Sequence, residues 1–266
     1  MSRRGGAFRW GPVAPRSVCA GRPTRAPIAL ALLILGVAAL CLPTQTRAET
    51  IRTARYVEPT TRYAHGVLGD AVEYGALELT IAGGATRLFR LPEVLVFEDL
   101  APRLADLDGD GAPEVIVVES HAARGARLAV WGPGGRITAT PHIGQSHRWL
   151  APLGAADLDG DGRIELAYVD RPHLARTLRI WRYEAGGLTE IASAEGVSNH
   201  QIGWSRIPGG IRDCAGPDSG AEMILADAAW QQVLALRLTP EGQLQRRVVA
   251  PYAGPDSLDA ALVCGP

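Results

Sequence analysis

"DLDGDGAPEVIVVE" occupies residues Asp106–Glu119, and "DLDGDGRIELAYVD" occupies Asp157–Asp170. Each stretch carries five carboxylates, and the second begins 51 residues after the first. Carboxylates at alternate positions repel one another at neutral pH, so a chain that keeps them this close calls for a cation among the oxygens. In the first copy Asp106, Asp108 and Asp110 stand at positions 1, 3 and 5, and Gly111 at position 6 allows the sharp turn that aims them inward. The Ala112 carbonyl and the Glu114 carboxylate extend the donor set. The second copy offers Asp157, Asp159, Asp161, the Arg163 carbonyl and Glu165. Every donor is a hard oxygen, which suits Ca2+ better than Zn2+ or Cu2+, and two Ca2+ sites with a structural role are expected. Neither loop continues as an EF-hand. Position 12 holds Val117 in one and Tyr168 in the other, where a bidentate Glu is required, and the residues that follow read as strands.

Working outward from these runs exposes a longer repeat. "HGVLGD" (65–70), "EVIVVE" (114–119), "ELAYVD" (165–170) and "EMILAD" (222–227) share an apolar stretch closed by an acid. Each is followed by a second apolar stretch and a small-residue turn: "ALELTIAGG" (76–84), "RLAVWGPGG" (127–135), "LRIWRYEAGG" (178–187) and "LALRLTPEG" (234–242). The stretches are short, rich in Val, Ile and Leu, and end at Gly, Pro or Asp, so they read as strands. About four antiparallel strands per module and four modules predict an all-β fold. A sheet that is apolar on both faces must be covered on both, and radial stacking into a small β-propeller achieves this. The tail "SLDAALVCGP" resembles the strand and loop that the first module lacks, with Cys264 placed as Cys214 is in "IRDCAGP". A C-terminal strand completing the first blade is therefore expected; an open stack, or a ring with one further irregular blade, is the alternative.

The strand–loop–strand setting of "DxDxDGxxE" resembles the FG-GAP/VCBS repeat family, which includes the integrin α-chain propellers. The resemblance is specific over two modules and looser over the others. It implies Ca2+ in the loops between the first two strands of a blade, and a role in recognising a protein or glycan. The third acidic segment, "DCAGPDSGAE" (213–222), keeps Asp213, Asp218 and Glu222 but loses the alternation, so no good site is expected there.

The N-terminus reads as a separate object. Six arginines (Arg3, Arg4, Arg9, Arg16, Arg22 and Arg25) precede the 15-residue apolar run Ile28–Leu42, too short for a typical membrane helix and suited to a signal-peptide core. Cleavage after Ala48 leaves residues 49–266 as the mature domain, periplasmic or secreted, with an uncleaved anchor as the alternative. Cys214 and Cys264 then share an oxidising compartment, where a disulfide and a pair of buried thiols are both open. The 266 residues are 47% hydrophobic with a formal net charge of −1, so nothing draws the whole molecule to nucleic acid or to an anionic membrane; no membrane span in the mature chain and a monomer are expected.

His147 with Trp149, and His200 with Trp204, precede the first strands of two modules and form a candidate ligand patch; His65 is a further candidate from a different place in its module. Packing at module junctions is the competing reading. Trp131 and Trp181 share a strand position and read as core. Asp70, Glu119, Asp170 and Asp227 read as turn caps. No G-x-S-x-G, H-E-x-x-H or phosphate-cradling glycine loop is present, so no catalytic residue is assigned. The expected function is an exported Ca2+-binding interaction module for a protein or glycan. A hydrolase or lyase acting on envelope polysaccharides or esters at the ring axis, and a purely structural envelope component, are the alternatives.

Overall fold

A computed structural model of the chain describes residues 49–214, 216 and 219–264. The expected signal peptide over residues 1–48 lies outside them. The chain divides after residue 47, and everything below concerns the second unit. No helix among the described residues is long and apolar enough to cross a membrane.

The unit is built almost wholly of antiparallel strands. Module 1 comprises β1 (Ile51–Thr60), β2 (Glu73–Ile81) and β3 (Thr86–Arg90). Module 2 comprises β4 (Leu95–Phe97), β5 (Arg103–Ala105), β6 (Glu114–His121), β7 (Gly125–Gly132) and β8 (Gly135–Ala139). Module 3 comprises β9 (Leu150–Ala156), β10 (Glu165–Asp170), β11 (Thr177–Glu184) and β12 (Gly187–Glu195). Module 4 comprises β13 (Val197–Ser198), β14 (Gly210–Arg212), β15 (Glu222–Asp227), β16 (Gln232–Leu238) and β17 (Leu244–Pro251). Modules 1 and 2 join into one sheet through β4, which pairs with both β2 and β6.

Tight hairpins set the registers. Glu184 pairs with Gly187 across Ala185 and Gly186, both at positive φ (48° and 75°), the two-residue turn whose twist matches that of its strands. The inner strand is continuous only in module 3. In module 2 it breaks between β4 and β5, both of which pair with β6; in module 4 it breaks between β13 and β14, both of which pair with β15.

Four cores lie between consecutive layers. Leu77, Leu79 and Ile81 meet Phe97, Val115, Val117 and Trp131 between modules 1 and 2. Ile116, Val118, Leu128 and Val130 turn the other face of module 2 towards Trp149, Leu166, Tyr168 and Trp181 of module 3. Val169, Leu178 and Ile180 meet Met223, Leu225 and Leu236 of module 4. The far face of module 4, with Ile224, Ala226, Val233 and Ala235, is covered by Leu258. The period-two alternation of β6, β10 and β15 therefore supplies two cores at once in modules 2, 3 and 4. The far face of module 1 is charged: Arg55 pairs with Glu78, Arg90 with Glu58 and Arg87 with Glu49.

Two expectations are corrected. The C-terminal segment does not complete the first blade. Its residues form the short helix α1 (Pro255–Ala260), which carries Leu258 at 0% exposure against module 4. Pro255 sits at the start of the helix, and its missing N–H and fixed φ suit a helix start better than a paired strand. None of the sheets closes on itself. "HGVLGD" is also no strand: Gly66 and Gly69 take positive φ, and the segment loops between β1 and β2. The strand beside β2 is β1, which buries only Ile51 fully and so lacks an apolar signature.

Candidate functional site

The two acidic runs form loops of one geometry, between β5 and β6 in module 2 and between β9 and β10 in module 3. In the first, Gly109 N–H and Gly111 N–H donate to the two oxygens of Asp106 (2.8 and 3.0 Å), Asp110 N–H to Asp108 Oδ1 (3.2 Å), Ala112 N–H to Asp110 Oδ1 (2.7 Å) and Leu107 N–H to Glu114 Oε2 (3.0 Å). The second repeats this through Gly160 and Gly162 to Asp157, Asp161 to Asp159, Arg163 to Asp161 and Leu158 to Glu165. Gly111 and Gly162 hold φ of 81° and 84°, which L side chains avoid. One oxygen each from Asp106, Asp108 and Glu114 lie within 4.8 Å of one another, and the same holds for Asp157, Asp159 and Glu165. Burial pushes Glu114 above the usual carboxylate range, against the pull of the Leu107 N–H, and the Asp108 and Asp110 charges add to the rise. Burial also raises Glu165, countered by the Leu158 N–H and the Arg182 guanidinium. The two loops border a common cleft of about 440 Å³ that also receives Tyr183.

The loops differ in their counter-charges. Among the described residues no cationic side chain pairs with Asp106, Asp108, Asp110 or Glu114. In the second loop Arg182 reaches Asp159 Oδ2 (2.6 Å), Asp161 Oδ2 (3.0 Å) and Glu165 Oε1 (2.7 Å), and Arg163 also holds Asp161. In module 4, Arg212 and Arg247 both bind Glu222; burial pushes this carboxyl up, but the two guanidinium partners hold it below its ordinary value. Asp213 accepts the Gly216 N–H, and Asp218 lies outside the described residues.

A second cluster gathers where the inner strands break. The break in module 2 carries Glu98, which is fully buried and accepts a hydrogen bond from His65 Nδ1 (2.6 Å) on one oxygen and from Ser120 Oγ on the other. Trp149 Nε1–H donates to the Glu98 carbonyl (2.9 Å). The break in module 4 carries His200, whose Nε2–H donates to the Trp204 carbonyl (3.0 Å) and whose Nδ1 meets His173 Nε2 at 3.0 Å. Burial, then the neighbouring His200, pushes His173 down to about 4, and burial lowers His200 against the opposing pull of the Trp204 carbonyl. His147 stacks on Tyr63 at 5.0 Å between ring centroids. His65, His147, Trp149 and His173 line a cavity of about 190 Å³, with Arg148, Arg171, Leu174 and Ile202 at its walls. The structure thus places His147 and Trp149 on the cavity, with His200 and Trp204 packed behind it. Sequence reading missed Glu98 and His173. The signal for His173 is an imidazole beside Pro172 in a short β10–β11 turn; a lone Glu after "VLVF" carries none.

Cys214 and Cys264 form a disulfide with Cα atoms 5.4 Å apart, tying the segment after α1 to the loop after β14. Covalent pairing of this kind belongs to oxidising compartments. The recurring acids divide. Asp70 and Asp227 accept turn N–H groups, from Val72 and from Gln231 and Gln232. Glu119 and Asp170 do not cap turns: Glu119 is paired with Arg127 and takes the Trp131 Nε1–H (2.9 Å), and Asp170 holds Arg171 and Arg179. Their side chains lie on strand faces where basic residues of the next strand stand opposite.

Strand, acidic loop and strand, repeated through stacked antiparallel sheets, define the class to which this molecule is similar. The family profile described as FG-GAP-like repeat matches residues 106–168, which span both acidic loops. Comparison with curated proteins finds none that matches the chain.

Proposed function

We propose that the chain is an exported, Ca2+-binding, β-propeller-type interaction module whose ligand, a protein or glycan segment, docks at the histidine-lined cavity. One observation carries the reading. The cavity is assembled by segments of successive modules: His65 from the β1–β2 loop, His147 and Trp149 from the link into module 3, His173 from the β10–β11 turn and Ile202 from the break in module 4. Binding sites gather on connections held by a rigid scaffold. The wall combines imidazoles and arginines with Leu174 and Ile202, large apolar residues 63% and 73% exposed. Export is supported by the basic lead, the apolar run Ile28–Leu42 and the disulfide. Ca2+ is supported by the hard-oxygen donors of Asp106, Asp108, Asp110 and Glu114, which would hold the ion and so pin β5 to β6.

The test is binding to glycan and peptide arrays by the parent and by Leu174→Asp plus Ile202→Asp. These substitutions are on exposed residues and should leave the circular dichroism unchanged. A retained ligand whose affinity falls at least tenfold in the double variant is expected. A ligand indifferent to the double variant, or none on any array, overturns the assignment of the cavity.

A further inference from the structure

The two acidic loops are equal in backbone and unequal in charge, and we infer that Arg182 is the resident cation of the 157–165 loop, leaving the 106–114 loop as the one that takes Ca2+. This rests on the Ca2+ reading above. The argument is atom by atom. In the first loop the backbone N–H groups use Asp108 Oδ1, Asp110 Oδ1 and Glu114 Oε2. Asp108 Oδ2, Asp110 Oδ2 and Glu114 Oε1 have no partner among the described residues. In the second loop the corresponding oxygens are Asp159 Oδ2, Asp161 Oδ2 and Glu165 Oε1, and Arg182 meets all three at 2.6–3.0 Å. The guanidinium therefore stands on the oxygens that a metal ion would need. A planar fork of five donors, charged at every accessible pH, suits that task.

Strand register explains why only one loop has it. Leu166 pairs with Trp181 and Glu165 with Arg182. In module 2 the matching pair is Val115 with Trp131, so the position beside Glu114 falls to Gly132, which has no side chain to offer. In module 4 Glu222 pairs with Arg237, and its carboxylate is held by Arg212 and Arg247. Glycine beside Glu114 and arginine beside Glu165 thus separate a metal-requiring loop from one neutralised by the chain itself; in module 4 the register-position Arg237 turns to the Ser219 carbonyl, and Glu222 is neutralised from other strands.

The experiment is a calorimetric Ca2+ titration of the purified, chelator-stripped chain, with hydrogen exchange read by mass spectrometry in the same samples. One equivalent of Ca2+ is expected in the parent, none in Asp108→Asn plus Asp110→Asn, and two in Arg182→Gln. Ca2+ should slow exchange in peptides covering 106–114 and leave 157–165 unchanged. The exchange readout needs only the parent, so the inference stays testable if Arg182→Gln fails to fold. Two equivalents in the parent, or equal protection of both loops, overturns the role of Arg182 while the Ca2+ reading stands. No binding by the parent overturns both.

Discussion

Glu73 opens β2 at 4% exposure, and no side chain among the described residues neutralises it. Burial first, then the charges of Glu98, Asp70 and Asp99, push its carboxyl up to about 9. A carboxyl raised in the folded state binds more protons there than in the unfolded chain, so its penalty is absent below the unfolded value near 4.5 and grows as pH rises towards 9. Glu73→Gln should therefore match the parent near pH 4.5 and exceed it increasingly up to pH 8, by at most about 1.4 kcal/mol per pH unit, measured by urea denaturation across that range. Glu119 is the opposite case: a buried carboxylate satisfied by Arg127, by the Trp131 indole and, more distantly, by Arg136. Glu119→Ala strands the buried Trp131 indole and the partly buried Arg127 guanidinium together, and a loss of about 3 kcal/mol is expected by the same measurement. Composition could not separate these two acids. The difference lies in which side chain stands opposite, and that is a matter of strand register.

At the scale of elements, the acidic loops were legible because they are local: alternation, glycine at the sixth position and the closing Glu all fall within nine residues. Chelator should lower the melting temperature of the parent, and Asp108→Ala alone should remove that response, since the other loop holds its own cation. The elements that escaped reading are those whose partners are remote. β1 carries Arg55 and Glu58, which find Glu78 and Arg90 in the same sheet, and it buries only Ile51, so apolar periodicity never marked it. The helix α1 has six residues and one fully buried side chain, too few to show a period. Leu258→Ala should nonetheless cost about 2–4 kcal/mol, because Leu258 fills the space over Ile224 and Val233. The cavity was half legible: its histidines and tryptophans stand out in sequence, but the strand breaks that bring them together depend on pairing to β6 and β15.

Across the whole molecule, each core joins one layer only to the next, so stability should add layer by layer. The C-terminal layer is the one secured covalently. The disulfide spans 50 residues and is worth about 4 kcal/mol by chain entropy. Cys214→Ser should lower stability by an amount approaching that, and native-state hydrogen exchange should rise first in β15–β17. Reduction has a further consequence. Loosening α1 would bare an aliphatic plane, Ile224 to Val233, shaped like those that neighbouring sheets already bury between them. Two such planes from separate copies are natural complements, so reductant should raise the sedimentation coefficient. On that outcome the sulfur bridge would serve solubility as much as rigidity, by keeping a sticky flank out of circulation.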